Sequence, residues 1–256
     1  MDKNGRKAIL VTGGAKGIGH SISVCLAKAG YDVAINYHNR PEEAKKTLEE
    51  VRACGVDGCI IYADVANLDD LSRMYDEAYD YFGELCGVIN NAGVGVEKYF
   101  LDTTPEQFDW MVAIDFKGTY FSTQNAARRM IEHGTKGIII NVTSNQAVGN
   151  WPRSTVYGPT KAAVSKFTEN AAMELALHGI RVNNIAPGYT DAGWEPGDHR
   201  FEAAPKLPLK RFASMDEIGE CVAFMVGDSA SYMTGATLTL DGGALLPVVA
   251  CNDFVK

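Results

Sequence analysis

The sequence predicts a single α/β domain, a doubly wound parallel seven-stranded sheet with helices on both faces. Three observations carry this expectation. Short apolar runs alternate with amphipathic segments along the chain, the first run leads straight into a glycine-rich turn, and no repeat, linker or low-complexity segment interrupts the alternation. The 256 residues suit one large domain and can bury a substantial core.

Seven runs read as buried strands: KAILVT (7–12), DVAINY (32–37), GCIIYA (58–63), GVIN (87–90), GIIINV (137–142), GIRVNNI (179–185) and ATLTL (236–240). Six stretches have helical spacing: 18–29, 41–54, 68–82, 105–132, 155–178 and 214–227. In the fourth, Thr104-Pro105-Glu106 reads as a cap followed by proline at the first helical position. The fifth holds a proline inside YGPTK (157–161); a cap at Thr155 puts Pro159 about four residues in, where its amide would be unpaired anyway. Alternation of this kind implies right-handed crossovers and a parallel sheet covered on both faces. One stretch, residues 188–213, is too long for a simple connection and rich in turn residues. A lid over the substrate is the expectation for a loop of that length.

Composition excludes several classes of function. Hydrophobic residues make up 46% and charged residues 22%, an ordinary globular balance. The net charge of −8 argues against nucleic acid, which requires a basic face. No apolar run approaches the roughly 20 residues of a membrane span, and the N-terminus lacks a signal-peptide core, so a cytoplasmic protein is expected. Cysteines at 25, 54, 59, 86, 221 and 251 form no C-x-x-C pair, and histidines at 20, 38, 133, 178 and 199 lack metal-ligand spacing. Reduced thiols and no metal site follow.

The first expected strand runs into TGGAKGIGH, with Gly13, Gly17 and Gly19 around Lys16 and Ile18 and a helix behind them. Glycines there let the backbone turn tightly and let a pyrophosphate approach the free amides of the helix N-terminus, the arrangement of a Rossmann-like dinucleotide fold. The choice of dinucleotide follows from charge. NAD sites place an acid at the end of the second strand. Here that strand ends Asn36-Tyr37-His38-Asn39-Arg40, without one. Lys16 and Arg40 would instead bind a 2′-phosphate, favouring NADP(H) and leaving NAD(H) possible.

TGGAKGIG (12–19), NNAG (90–93), Ser144, YGPTK (157–161) and Pro187-Gly188 together resemble the short-chain dehydrogenase/reductase family in its NADP-preferring branch. The likeness runs from the first strand to LDGG at 240–243. It implies an oxidoreductase that interconverts a secondary alcohol and a carbonyl by hydride transfer. It also implies roles. Tyr157 exchanges the proton, Ser144 hydrogen-bonds the substrate oxygen, and Lys161 lowers the Tyr157 pKa and holds the nicotinamide ribose. Asp64 and Val65 match the pair that contacts the adenine. Asn91, Ala92 and Gly93 flank the cofactor, while Pro187, Gly188 and Thr190 border the carboxamide. Physics supports the central pair. Tyr157 and Lys161 share a helix face one turn apart. A free phenol titrates near ~10; a cation at roughly 4 Å with an effective dielectric near 20 supplies about 4 kcal/mol, equivalent to around three units.

One position departs from the family pattern. Asp115 stands where the resemblance calls for an asparagine that holds a water in a proton relay. Aspartate accepts hydrogen bonds but, when ionised, donates none. The expectation is that the relay persists with Asp115 in it, with a structural acid as the alternative. The resemblance further implies a homotetramer through 105–132 and 155–178, with the apolar tail ALLPVVA (244–250) packing across a subunit boundary.

The substrate is less sharply written. Fatty-acid 3-oxoacyl carrier-protein reductases are similar throughout but usually follow NNAG with I-T-R/K-D, where this chain has Val94-Gly95-Val96-Glu97. Sugar-oxidising members such as glucose 1-dehydrogenase are similar in VAINY followed by EEA, in Trp151-Pro152, and in a tail continuing to Lys256. Their His-Glu after the serine is Gln146-Ala147 here. Asn145, Gln146, Asn150, Asp191 and Glu195 suit a sugar or polyol, whereas Trp151 and Trp194 would stack on a sugar or cover a flat ketone such as a steroid. A dinucleotide-binding sensor with little turnover is a different class, supported by Asp115 alone and opposed by Ser144, Tyr157 and Lys161.

Overall fold

The computed structural model describes residues 5–193 and 199–246. Strand β1 (Ala8–Val11) enters α1 (Gly17–Lys28), followed by β2 (Asp32–Tyr37), α2 (Pro41–Ala53), β3 (Gly58–Tyr62), α3 (Leu68–Phe82) and β4 (Leu85–Asn90). The second half contains α4 (Pro105–Met111), α5 (Thr119–His133), β5 (Ile138–Val142), α6 (Tyr157–Leu175) and β6 (Arg181–Pro187). Two short strands, β7 (Thr190–Asp191) and β8 (Ala213–Ser214), precede α7 (Met215–Val226) and β9 (Thr237–Leu240).

The main sheet has seven strands in the order β3-β2-β1-β4-β5-β6-β9, and every pairing in it is parallel. Its alternating side chains serve two cores. Ala8 and Leu10 point into one with Leu71 of α3, Met130 of α5 and Ala172 of α6. Ile9 and Val11 point into the other with Ile22 of α1, Val51 of α2 and Val222 of α7. Burial on both faces explains why these strands are continuous apolar runs rather than polar–apolar alternations. The chain winds outward in both directions from the β1/β4 boundary. In open sheets of this topology the ligand crevice lies there, at the carboxyl ends of the strands.

Three expected elements differ. The predicted helix 105–132 is three pieces, because residues Val112–Gly118 between α4 and α5 wind as a π-helix. Two contacts to remote backbone groups accompany the widening. The Val94 N–H donates to Asp115 Oδ1 at 2.8 Å, and a Cβ on Gly118 would stand 2.9 Å from the Val65 carbonyl oxygen. Helix α6 starts at Tyr157 with Val156 as its N-cap, so Thr155 is not the cap. Pro159 is then the third helical residue, still within the turn whose amides have no intrahelical acceptor. The ends of stretch 188–213, expected to be irregular, are joined by the β7–β8 parallel ladder. Between them His199–Lys206 is a 3-10 segment, and Leu207 and Phe212 are buried. Trp194, Glu195 and positions 247–250 of the apolar tail lie outside the described residues.

Candidate active site

Thr12, the last residue before the glycine loop, ties two segments together. Its Oγ1 accepts the N–H of Asn91 at 3.0 Å and of Ala92 at 3.1 Å. Asn91 Nδ2 donates back to the carbonyls of Thr12 and Gly13, at 3.0 and 3.1 Å. Asn36, buried at the end of β2, accepts the Gly13 N–H at 3.0 Å and donates to Ala63 O at 3.1 Å. Both polar residues escaped the sequence reading; the available signal was a threonine and an asparagine closing otherwise apolar runs.

Within this frame the glycines have separate duties. Gly13 and Gly17 have φ of +60° and +56°, and nothing lies within 4 Å of where a Gly17 Cβ would be. A Cβ on Gly19 would fall 2.2 Å from the Gly13 carbonyl oxygen. Lys16 caps α1 through its backbone alone, and no acid stands in the first turn. The result is an open hollow facing uncapped amides. It fits a pyrophosphate. Ile18 packs beneath the loop, against the core shared by α1, α2 and α7.

At the far end of the crevice floor, Tyr37 faces Tyr62 with ring centroids 5.9 Å apart. Asp64 holds its own turn, with Oδ1 accepting the Ala66 N–H at 2.9 Å and Oδ2 4.0 Å from His38 Nε2. Arg40 is half-exposed, and its Nη1 donates to Glu43 Oε1 at 2.9 Å. Exposed pairs of this kind are worth little.

Ser144 follows β5 and caps a 3-10 turn, its Oγ accepting the Gln146 N–H at 3.2 Å. Helix α6 packs on this turn and on the π-helical segment, which brings Ser144, Tyr157, Lys161 and Asp115 to one place. Lys161 is only 4% exposed, and its Nζ donates to the Val142 carbonyl at 3.3 Å. The ammonium stands over the Tyr157 ring, 5.5 Å from its centroid, and 4.0 Å from Asp115 Oδ1. Gly93 is wedged beside both, since a Cβ there would come within 3.0 Å of Asp115 Oδ1 and 3.1 Å of Lys161 Nζ. Asp115 is fully buried, and its Oδ2 has no hydrogen-bond partner among the described residues. Burial pushes its carboxyl above the usual range, against the opposing effects of Lys161 and the Val94 amide.

Gly188 lies against Asp241 and Asn145, and Thr190 Oγ1 donates to the Gly188 carbonyl at 3.2 Å. Pro187 is the last residue of β6, in register with Leu240. An aromatic wall closes this side. Trp151 Nε1 donates to Tyr189 OH at 2.9 Å, and Tyr189, Phe212 and Phe201 stack in sequence at 5.1 and 5.4 Å. Among the described residues no group of three or more His, Cys, Asp or Glu side chains is placed to hold a metal, and no helix is long and apolar enough to cross a membrane.

Comparison with known proteins places the chain in a family. Residues 13–244 match a family described as enoyl-(acyl carrier protein) reductase. A 3-oxoacyl-(acyl-carrier-protein) reductase of Staphylococcus aureus is 38% identical over 243 residues, covering 93% of this chain and 97% of that protein. The chain is a short-chain dehydrogenase/reductase. This short-chain dehydrogenase/reductase is also 33% identical over 250 residues to glucose 1-dehydrogenase 2 of Bacillus subtilis, with 96% of each chain covered. Among solved structures it is similar to an acetoin dehydrogenase from Salmonella typhimurium, with a TM-score of 0.85 and 31% identity over 94% of this chain and 98% of that one. It is therefore an oxidoreductase.

The buried carboxyl gives a prediction with a definite sign. Because the folded pKa of Asp115 is raised, the folded state holds its proton more tightly than the unfolded state does. Asp115 then costs least at acid pH, below its unfolded value, and progressively more stability as pH rises toward the folded pKa. Asp115→Asn keeps the acceptor for the Val94 N–H without the charge. Denaturant unfolding is expected to show Asp115→Asn more stable than the native chain at pH 8, with the difference closing toward pH ~4. A difference that stays constant across that range removes the charge from the account.

Proposed function

We propose that the chain is an NADP(H)-dependent oxidoreductase that interconverts a secondary alcohol and a carbonyl on a sugar or polyol. The observation that carries the reaction class is the buried Lys161 ammonium over the Tyr157 ring, in the crevice that the glycine loop opens onto. A bound nicotinamide supplies or accepts the hydride. The chain's own residues handle the proton and the orientation. In reduction the Tyr157 hydroxyl gives its proton to the carbonyl oxygen while Ser144 Oγ donates a hydrogen bond to the same atom. In oxidation the proton returns to Tyr157. Lys161 stabilises the phenolate between these events, and Asp115 and the Val142 carbonyl hold the lysine in place. Tyr157→Phe is expected to lower kcat by about 10²–10⁴, with dinucleotide affinity measured by fluorescence titration left within about threefold. Retention of most of the rate would overturn the assignment of Tyr157.

The sugar or polyol reading is supported by the polar turn at Asn145 and Gln146, with Asn150 following, beside the Trp151–Tyr189 wall. A second reading, reduction of a 3-oxoacyl thioester, is favoured by the 38% identical Staphylococcus aureus relative. One panel separates them: sugars, polyols, small ketones and a 3-oxoacyl thioester, each followed at the nicotinamide absorbance. Preferred turnover of the thioester decides for the second reading, and dinucleotide binding with no turnover at all decides for a sensor. The segment 188–213, with its stacked rings, serves as the substrate lid in either case.

The 2′-phosphate preference rests on Lys16 and Arg40 and the lack of an acid at the end of β2. Lys16→Ala and Arg40→Ala are each expected to weaken NADP binding by about tenfold and to leave NAD binding within about twofold. Equal losses for both dinucleotides would remove the discrimination from these cations.

A homotetramer is supported by apolar side chains left exposed on the outer helices, including Phe108 and Trp110 of α4, Tyr120 of α5 and Met173 of α6. Light scattering at micromolar concentration is expected to give the tetramer mass, and a monomer mass contradicts it. We place the enzyme in the cytoplasm. Burial holds the thiols of Cys59 and Cys86 at a pKa of about 12, so both stay protonated there.

A further inference from the structure

A cavity of about 420 Å³ lies at the opposite end of the sheet from Ser144 and Tyr157, where the strands begin. Its walls come from Lys7 just before β1, Tyr31 just before β2, Lys136 just before β5, Arg181 at the start of β6, and Asp228 and Ser231 in the link from α7 to β9. Nothing in the hydride-transfer chemistry uses this space.

Its charge is opposite to that of the chain. Three cations and one carboxylate line it, in a protein whose net charge is −8. Arg181 is fixed in position: its guanidinium donates to the carbonyls of Met225, Val226 and Met233, at 3.1, 3.3 and 3.2 Å. Those acceptors orient the group without neutralising it, and burial pulls its pKa down, Asp228 opposing. No carboxylate among the described residues lies within ion-pair distance of Lys7, Lys136 or Arg181; the ion pairs of the fold are formed elsewhere. The Lys136 stem runs along Gly179, whose own Cβ would stand 3.0 Å from the Lys136 Cγ. The remaining polar walls add no competing negative charge. Burial raises the Tyr31 phenol and pushes the Cys86 thiol up to about 12, so both remain neutral and the phenol is a donor.

A cavity of this size accepts a small metabolite, and cations gathered in a recess concentrate anions there. We propose that this cavity is a second binding site, separate from the dinucleotide crevice, for a small organic polyanion carrying two or more carboxylate or phosphate groups. Lys7 and Lys136 supply mobile charge, Arg181 a fixed planar donor, and Tyr31 and Ser231 hydroxyl groups. Asp228 sets an upper limit on affinity and disfavours monoanions least able to offset it. The inference stands independently of the substrate reading, since it uses none of the catalytic residues.

The test uses the full chain with NADP at saturation, so that the phosphate-binding loop is closed to the probe. Citrate and inorganic pyrophosphate are titrated calorimetrically into the native protein and into Lys7→Glu/Lys136→Glu, with Lys7→Gln/Lys136→Gln as the milder pair. Circular dichroism and NADP affinity establish that the variants are folded. Saturable binding of at least one probe is expected, weakened about tenfold or more by either pair and by raising the salt from about 50 to 500 mM. Three results overturn the proposal: no saturable binding of either probe, binding unchanged in both pairs, or binding that appears only when NADP is left out. The last would assign the probe to the dinucleotide crevice.

Discussion

An ammonium buried to 4% exposure cannot be left uncompensated, and the arrangement around Lys161 follows from that need. The Val142 carbonyl, the Asp115 carboxyl and the Tyr157 ring face supply three unequal partners, at 3.3, 4.0 and 5.5 Å. Each comes from a different element: the end of β5, the π-helical segment, and the first turn of α6. A buried ammonium that loses a polar partner carries the full cost of its desolvation, so none of the three can move far without exposing that cost. The constraint reaches further, to Gly93. Its missing side chain is what lets the NNAG loop close over the pair, because a Cβ would press on both charged atoms. The proposed chemistry therefore depends less on Tyr157 alone than on a packed group that holds one cation dry.

Much of this was legible in the residues. The period and length of the apolar runs gave the seven strands, because parallel strands buried on both faces leave an unmistakably continuous apolar signature. The glycine spacing gave the phosphate hollow, because only glycine tolerates the φ at 13 and 17 and the contact at 19. Two kinds of feature escaped. One was local geometry set by contacts remote in sequence: the π-helix over Val112–Gly118 answers to Val65 and Val94, and nothing between residues 105 and 132 announces it. The start of α6 belongs here too: Val156 caps it without a side-chain hydrogen bond, so the sequence carries no capping signal there. The other was the polar scaffolding. Thr12 and Asn36 sit at the ends of apolar runs and look ordinary there, yet between them they hold β1, β2, β4 and the glycine loop in register.

The two ends of the sheet divide the molecule's electrostatics. At the carboxyl ends a dry, enclosed cation meets one backbone carbonyl and a carboxyl that burial holds toward its neutral form. At the amino ends three cations line an open cavity, and Arg181 among them meets backbone carbonyls. The difference in solvent access fixes what each can do. In the proposed chemistry the enclosed charge acts on one neighbouring phenol at short range, where the low dielectric strengthens it. The open charges act on ions arriving from solution, where screening limits them to attraction at short distance.

The π-helical segment joins the cofactor wall to the lysine. Gly118 packs against the Val65 carbonyl, at the corner proposed to border the adenine, and Asp115 reaches back to Val94 and Lys161 only three residues earlier. A regular α-helix through this stretch would have to move one of those contacts. The wider turn keeps both, as π-turns inserted in α-helices often do at functional sites. It follows that, in the binding mode proposed above, the adenine side and the nicotinamide side rest on one structural element. In that mode, the seven residues that meet the Val65 corner are the same ones that carry Asp115 to Lys161.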